Sequence, residues 1–338
     1  MKVYHRVTLL RVLTISALLF LFLVVVCLAA LSLGAVHTGL CEIQAALQGL
    51  LAGEAPNQIL FSVRLPRILF AGIVGASLSM AGVVFQALLR NPLADPYVLG
   101  VSGGSALGAI AGIVVGAGSF FAGVPFLAFC GAILTVLLVF VVAGGPRGVF
   151  MDNSLLLAGV VVNSFFSAAI LFSLSVVDSP QLRSISFWLM GDLSGAAWRD
   201  IAVSFVCLTA VFTVLYSQAR RLNLLVQGEE TASRLGLNTK GAKYVMLTAA
   251  SFLTAVAVSL AGIIGFVGMM VPHMMRLVWG SDHRLLLPAA ALFGAAFLIT
   301  ADTLARTLLA PAELPVGVIT ALCGAPYFIF LMRRRGGR

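Results

Sequence analysis

Side chains that could do chemistry are few and scattered in this sequence. His5, His37, His273 and His283 stand apart, with no HExxH pair to hold zinc. Cys27, Cys41, Cys130, Cys207 and Cys323 show neither a CxxC nor a metal-ligand spacing. Four of them lie in apolar runs, where a thiol behaves as a small hydrophobe. The lysines are Lys2, Lys240 and Lys243, and none follows a glycine, so a phosphate-cradling Gly-Lys loop is excluded. If ATP drives this protein, another subunit supplies the ATPase. Ionisable groups within apolar runs are nearly absent, save Asp302 and Arg306, which stand four apart and could pair. No series of buried acids could relay protons, which counts against a proton-driven carrier. No pair of embedded acids and no Ser–His constellation supports an intramembrane enzyme.

The elements that must position these residues are membrane helices. Of 338 residues, 61% are hydrophobic and 10% charged, against about 25% charged in a soluble domain. Too few polar side chains remain to coat a water-facing surface, so lipid must cover the chain. The formal charge of +9 reads as topology rather than as affinity for nucleic acid, because basic residues gather on the cytoplasmic side of membrane proteins.

A crossing helix needs about 20 mostly apolar residues. The runs Val12–Val36, Ile68–Leu89, Asn153–Val177, Ile201–Ala219, Leu285–Ala301 and Leu314–Met332 each meet this. The first exceeds the 7–15 residues of a signal-peptide core and reads as a retained span. Pro96–Pro146 has no charge and breaks at a Gly/Pro-rich turn near 116–125, giving two helices. Tyr244–Met275 is one long helix or two with a turn near 261–265. Basic residues at both termini predict that both ends are cytoplasmic, hence an even number of spans, and splitting Tyr244–Met275 gives ten. The inner segments then hold Lys2, Arg6, Arg11, Arg90, Arg147, Arg220, Arg221, Arg234, Lys240, Lys243, Arg276, Arg284, Arg333, Arg334, Arg335 and Arg338. Only Arg64, Arg67, Arg183, Arg199 and Arg306 fall outside, a strong positive-inside bias. The longest polar stretch, about 218–243, reads as a loop. The expectation is an all-α polytopic membrane protein forming a single transmembrane domain over 1–338.

In lipid, helices associate by close backbone approach. Gly104, Gly108, Gly112 and Gly116 form a ladder on one face of the third span. Gly72, Gly75, Ala76, Ser79 and Gly82 do the same on the second. Such faces suit either a helix that slides during a transport cycle or simple tight packing.

The ordered motifs carry a resemblance. They are Arg64-Leu-Pro-Arg67, then Gln86-Ala-Leu-Leu-Arg-Asn-Pro-Leu-Ala-Asp-Pro96, Val98-Leu-Gly-Val-Ser-Gly-Gly104 and Leu156-Leu-Ala-Gly159. After these come Gly228-Glu-Glu-Thr-Ala-Ser-Arg-Leu-Gly236, Gly262-Ile-Ile-Gly-Phe-Val-Gly268, Pro272-His273, Asp282-His-Arg284 and Glu313-Leu-Pro-Val-Gly317. From about Phe61 to the C-terminus this set resembles the FecCD family of ABC importer permeases, which move ferric siderophores, haem or cobalamin. The resemblance implies a type II importer fold of ten helices and a homodimer in the bacterial cytoplasmic membrane. It also implies two cytoplasmic ATPases that use ATP and Mg, and an extracytoplasmic substrate-binding protein. No cofactor, metal or catalytic residue is expected in this chain.

By the same resemblance, Arg64, Arg67 and Arg306 match outer positions that meet carboxylates of the binding protein. The segment Leu224–Gly236 matches the ATPase coupling helices. Glu229 and Glu230 suit a helix N-terminus, Ala232 and Leu235 an apolar face, and Gly236 a C-terminal cap. Asn91 and Leu93 match one cytoplasmic gate. Asp152 and Asn153 occupy the other, where an acid departs from the family's usual small hydroxyl residue. A short helix over 179–191 is expected at the outer mouth.

Overall fold

The computed structural model describes residues 8–34, 57–117, 123–144 and 152–335, with scattered positions between 39 and 48. All regular structure among them is helical. In chain order the helices are α1 (Leu9–Ser32), α2 (Leu65–Leu88, entered through a π-turn at Ile59–Arg64), α3 (Val101–Val114), α4 (Gly123–Gly144), α5 (Asp152–Val176) and α6 (Ser179–Leu189). They continue as α7 (Trp198–Ser217), α8 (Ala219–Val226), α9 (Glu229–Arg234), α10 (Thr239–Ala261), α11 (Val267–Trp279), α12 (His283–Thr307) and α13 (Val316–Arg335). Among the described residues eight segments are long and apolar enough to cross a bilayer, and α3 is a shorter apolar helix. With the 13-residue α11, which has buried Val267, Met270, Val271 and Met275, the count roughly fits the ten expected spans.

The core is built on α2, whose side chains are buried almost all round. Its small residues allow this. A Cβ at Gly75 would meet the backbone of Gly294 in α12, and one at Gly82 would collide with the Gly268 carbonyl in α11. Contacts at that range let neighbouring backbones gain dispersion energy that lipid cannot outbid. By contrast α1 shows most of its side chains, including Leu9, Leu10 and Phe20, to the surroundings.

The two short helices are each one half of a discontinuous span. About 1.5 Å per residue gives α3 and α11 roughly 20 Å, short of a hydrocarbon core of about 30 Å. Before α11 extended chain makes up the difference, with residues 262–266 running from beside Gly191 and Gly317 down to Gly82, and before α3 a 3-10 turn at Pro96–Leu99 leads from the exposed turn after α2 into the helix. Backbone outside a helix must be satisfied by neighbours at this depth. The Tyr97 hydroxyl does so twice, donating to the Ile264 carbonyl at 3.0 Å and accepting from the Ile264 N–H at 3.1 Å. Gln86 Nε2 donates to the Met269 carbonyl at 2.9 Å, and the Pro96 ring lies against Gly268. The break at 261–265 is therefore where the sequence placed it, and its clasp to Tyr97 is new.

Two expectations need correction. The polar stretch about 218–243 is not a loop, because it folds into α8, α9 and the start of α10. The glycine ladder ends one rung early. Gly104, Gly108 and Gly112 bring α3 against α4, where added Cβ atoms would meet Gly131, Leu127 and Val124. Gly116 has nothing within 4 Å and stands beyond the helix end with φ +73°.

Candidate functional site

The features that could carry function lie at the two ends of the bundle. At one end are α8 and α9. Helix α8 buries Ala219, Leu222 and Leu225 against α2, α7 and α12, with Leu224 half-buried. Asn223 fastens it. Its Nδ2 donates to Asp282 Oδ1 at 3.0 Å, and its Oδ1 accepts from the His283 N–H at 2.9 Å and contacts His283 Nδ1 at 2.6 Å. Asp282 also N-caps α12 through the Arg284 N–H and pairs with the Arg284 guanidinium at 2.6 Å. Burial works to raise the Asp282 carboxyl, but hydrogen bonds from Arg284 and Asn223 outweigh it and hold the group at about 2.

Gly228 opens α9 with φ +122°, a conformation other side chains rarely adopt. Glu229 and Glu230 fill the first turn, where the helix dipole favours negative charge. Glu229 pairs with the buried Lys243 of α10, and Glu230 with the exposed Arg234. The helix closes in a Schellman arrangement. The Leu237 N–H reaches the Ala232 carbonyl at 3.0 Å, the Gly236 N–H reaches the Ser233 carbonyl at 2.9 Å, and Gly236 sits at φ +82°. Ala232 faces inward, fully buried, while Leu235 is 63% exposed. The two do not share one face, as the sequence reading had it: Leu235 and Val226 point outward, leaving apolar surface on a polar segment.

Nearby, Asn91 and Leu93 occupy the exposed turn after α2, where Asn91 Oδ1 accepts from the Leu93 N–H at 2.9 Å. Arg90 takes φ +49° to enter that turn. Asp152 and Asn153 begin α5, and their side chains lie outside the described residues.

At the opposite end Arg64, Arg67 and Arg306 are all buried. Arg64 Nη1 donates to the Leu31 carbonyl at 2.6 Å, tying α2 to α1. Arg67 grips Asp302 through Nε at 3.0 Å and Nη2 at 2.9 Å, and its Nη1 donates to Glu313 Oε2 at 2.8 Å. Arg306 Nε reaches Asp302 Oδ2 at 3.1 Å, the pairing expected from the spacing. The third partner, Arg67, lies 235 residues away in sequence, and only the fold reveals it. Helix α6 lies at this end as expected, with Arg183 over the Phe187 ring at 5.9 Å. The Trp188 carbonyl receives the Ile263 N–H at 3.4 Å, so α6 is anchored to the break before α11.

A bundle with eight apolar spans and two shorter, discontinuous ones among the described residues, a compact helical segment at one end and an ionic cluster at the other, is the architecture of a multi-pass transport permease. The chain belongs to the FecCD transport family, whose model matches residues 21–334, and is a permease subunit of an ATP-binding cassette importer. It is 44% identical to the cobalamin import system permease protein BtuC of Halobacterium salinarum, covering 83% of this chain and 75% of that one. It is 40% identical to the hemin transport system permease protein HmuU of Yersinia pestis, covering 94% of this chain and 96% of that one. A solved inward-facing structure of an ABC transporter assigned to the metal-chelate type superposes with a TM-score of 0.82 at 34% identity, covering 95% of this chain and 99% of its own.

Three features escaped the sequence reading: Asn223, Tyr97 and Glu313. Tyr97 and Glu313 stand in or beside quoted motifs, so their places were marked but not their partners.

Proposed function

We propose that this chain, as a homodimer, imports a metal chelate, a ferric siderophore or haem, across the bacterial cytoplasmic membrane by alternating access. Two cytoplasmic ATPases would use ATP and Mg, and an extracytoplasmic binding protein would deliver the cargo. This chain would bind no cofactor. The observation that carries the reading is the α8–α9 segment. It is fastened to α12 through Asn223 and leaves Val226 and Leu235 exposed, apolar surface that a groove on an ATPase would cover. Residues Leu224, Gly228, Glu229, Glu230, Ala232, Leu235 and Gly236 would form that coupling element, with both termini on the same, cytoplasmic side. Asn91, Leu93, Asp152 and Asn153 would form the gates beside it. Arg64, Arg67 and Arg306 would underlie the docking surface at the other end.

The dimer would enclose the pathway. Helix α5 exposes Asn163, Ser164 and Ser167 near its middle, and an amide facing lipid at that depth is unfavourable. A wet pathway between two copies resolves this. Gly104, Gly108 and Gly112 would hold α3 and α4 as a rigid pair behind it. A second cargo, cobalamin, is favoured by the 44% identity to a cobalamin permease. Uptake of radiolabelled ferric siderophore, haem and cobalamin by cells with and without this gene separates the two. Loss of iron or haem uptake alone is the expected outcome. Loss of cobalamin uptake alone would select the second reading, and unchanged uptake of all three would reject both.

A further inference from the structure

Arg67 is held differently along its two edges. The inner edge, Nε and Nη2, faces Asp302, whose side chain is 1% exposed and also bound to Arg306. That carboxylate cannot leave without stranding two buried cations. The outer edge, Nη1, meets Glu313 alone among the described residues. Glu313 lies between α12 and α13, and its side chain is 50% exposed. Beside this contact opens a recess of 60 Å³ lined by Arg67, Asp192, Ser194, Glu313 and Pro315. It is far below the roughly 300–1,000 Å³ of a small-molecule pocket, so it admits a side chain rather than a chelate.

We propose that Glu313 is an internal stand-in for a carboxylate of the docking protein. An aspartate or glutamate of that partner takes its place on Arg67 Nη1, and Glu313 swings out to water. This rests on the docking assignment made above. The physical case is one of exchange. Asp302 fixes the guanidinium, so its outer edge is already oriented for a second carboxylate. Glu313 is half-solvated and gives up little on leaving, and one ion pair replaces another. Arg67 keeps two carboxylate partners before and after the exchange, which avoids the heavy cost of opening a buried cation. The other carboxylate in the recess, Asp192, is engaged by the Ser194 N–H at 2.8 Å. It remains a like charge to the newcomer and tempers the affinity. An exchange of this kind makes docking specific yet readily reversible, as a shuttling partner requires.

The test uses the permease–ATPase complex in nanodiscs and, as probe, the binding protein that stimulates its ATP hydrolysis. Docking affinity is measured for wild type, Glu313→Gln, Arg67→Lys and Asp200→Asn. The last removes one negative charge from a residue close to the exposed Trp198, outside the cluster. Glu313→Gln should tighten docking by about fivefold, the scale of one half-exposed ion pair, and Asp200→Asn should leave it within twofold. Equal tightening in both would reduce the effect to net charge and overturn the exchange. Unchanged or weaker docking in Glu313→Gln would overturn it too, by making Glu313 a brace or a contact. If Arg67→Lys docks as wild type while the complex stays assembled, the docking assignment itself fails.

Discussion

The two ends of α12 each carry an aspartate that accepts from arginine, and the two are built for opposite purposes. Asp302 is sealed: 1% exposed, holding Arg67 from α2 and Arg306 from its own helix. Asp282 is wet: its side chain is 22% exposed, its arginine is two residues away, and its long-range partner is a neutral amide, Asn223. A buried ion cluster fixes geometry because no member can depart without leaving a bare charge. A capped, half-wet aspartate bound to an amide can loosen and re-form at small cost. The permease is thus clamped by buried charge where α2 and α12 meet, and held by softer, partly wet hydrogen bonds where α8 joins α12. In the coupling role proposed above, α8 would need this second kind of joint.

The sharpest way to break this comparison is Asp302→Ala. Two buried guanidiniums lose their shared acceptor, and a loss of about 3–5 kcal/mol is expected. Thermal unfolding in detergent should show a large drop in midpoint or no folded protein. A near-wild-type midpoint would mean that the cluster is solvated and no clamp. Asn223→Ala is smaller in energy, about 1–2 kcal/mol for the hydrogen bonds lost at a half-buried site, but it should be selective. Transport per ATP hydrolysed should fall severalfold while the ATPase still assembles with the permease. Proportional loss of transport and hydrolysis would make Asn223 a stability residue only.

The least change is expected from pH. The Asp282 carboxyl is held at about 2, below the ordinary aspartate value near 3.9. The stability it contributes is complete above the unfolded value and is lost only as pH falls through about 2. The difference in unfolding midpoint between wild type and Asp282→Asn should therefore be the same at pH 5 and pH 8. A difference that changes over that range would show Asp282 titrating in a less supported state than its hydrogen bonds allow.

Much of this was legible in the residues. The approximate number of spans followed from the apolar runs, and the pairing of Asp302 with Arg306 from helical spacing. The ends of α9 followed from Glu229, Glu230 and Gly236. What was not legible depended on long-range contact. Arg67 looked like a free outer arginine, because nothing local shows that Asp302 lies beneath it. Leu235 looked like the partner of Ala232 on one apolar face, yet a six-residue helix closed by a glycine turns it away from Ala232. Tyr97 carried no sign of its partner, since a hydroxyl that satisfies both the N–H and the carbonyl of one distant residue leaves no pattern in either segment.

The clasp between Tyr97 and Ile264 has a consequence for how the chain enters the bilayer. A helix that closes its own hydrogen bonds can be released into lipid by itself. The extended chain before α11 cannot, because the N–H and carbonyl of Ile264 depend on the Tyr97 hydroxyl for their hydrogen bonds. Tyr97 is made some 167 residues before Ile264, so the partner that this break needs is already in the chain when α11 follows it. The first discontinuous stretch thus supplies the hydrogen bonds that complete the second.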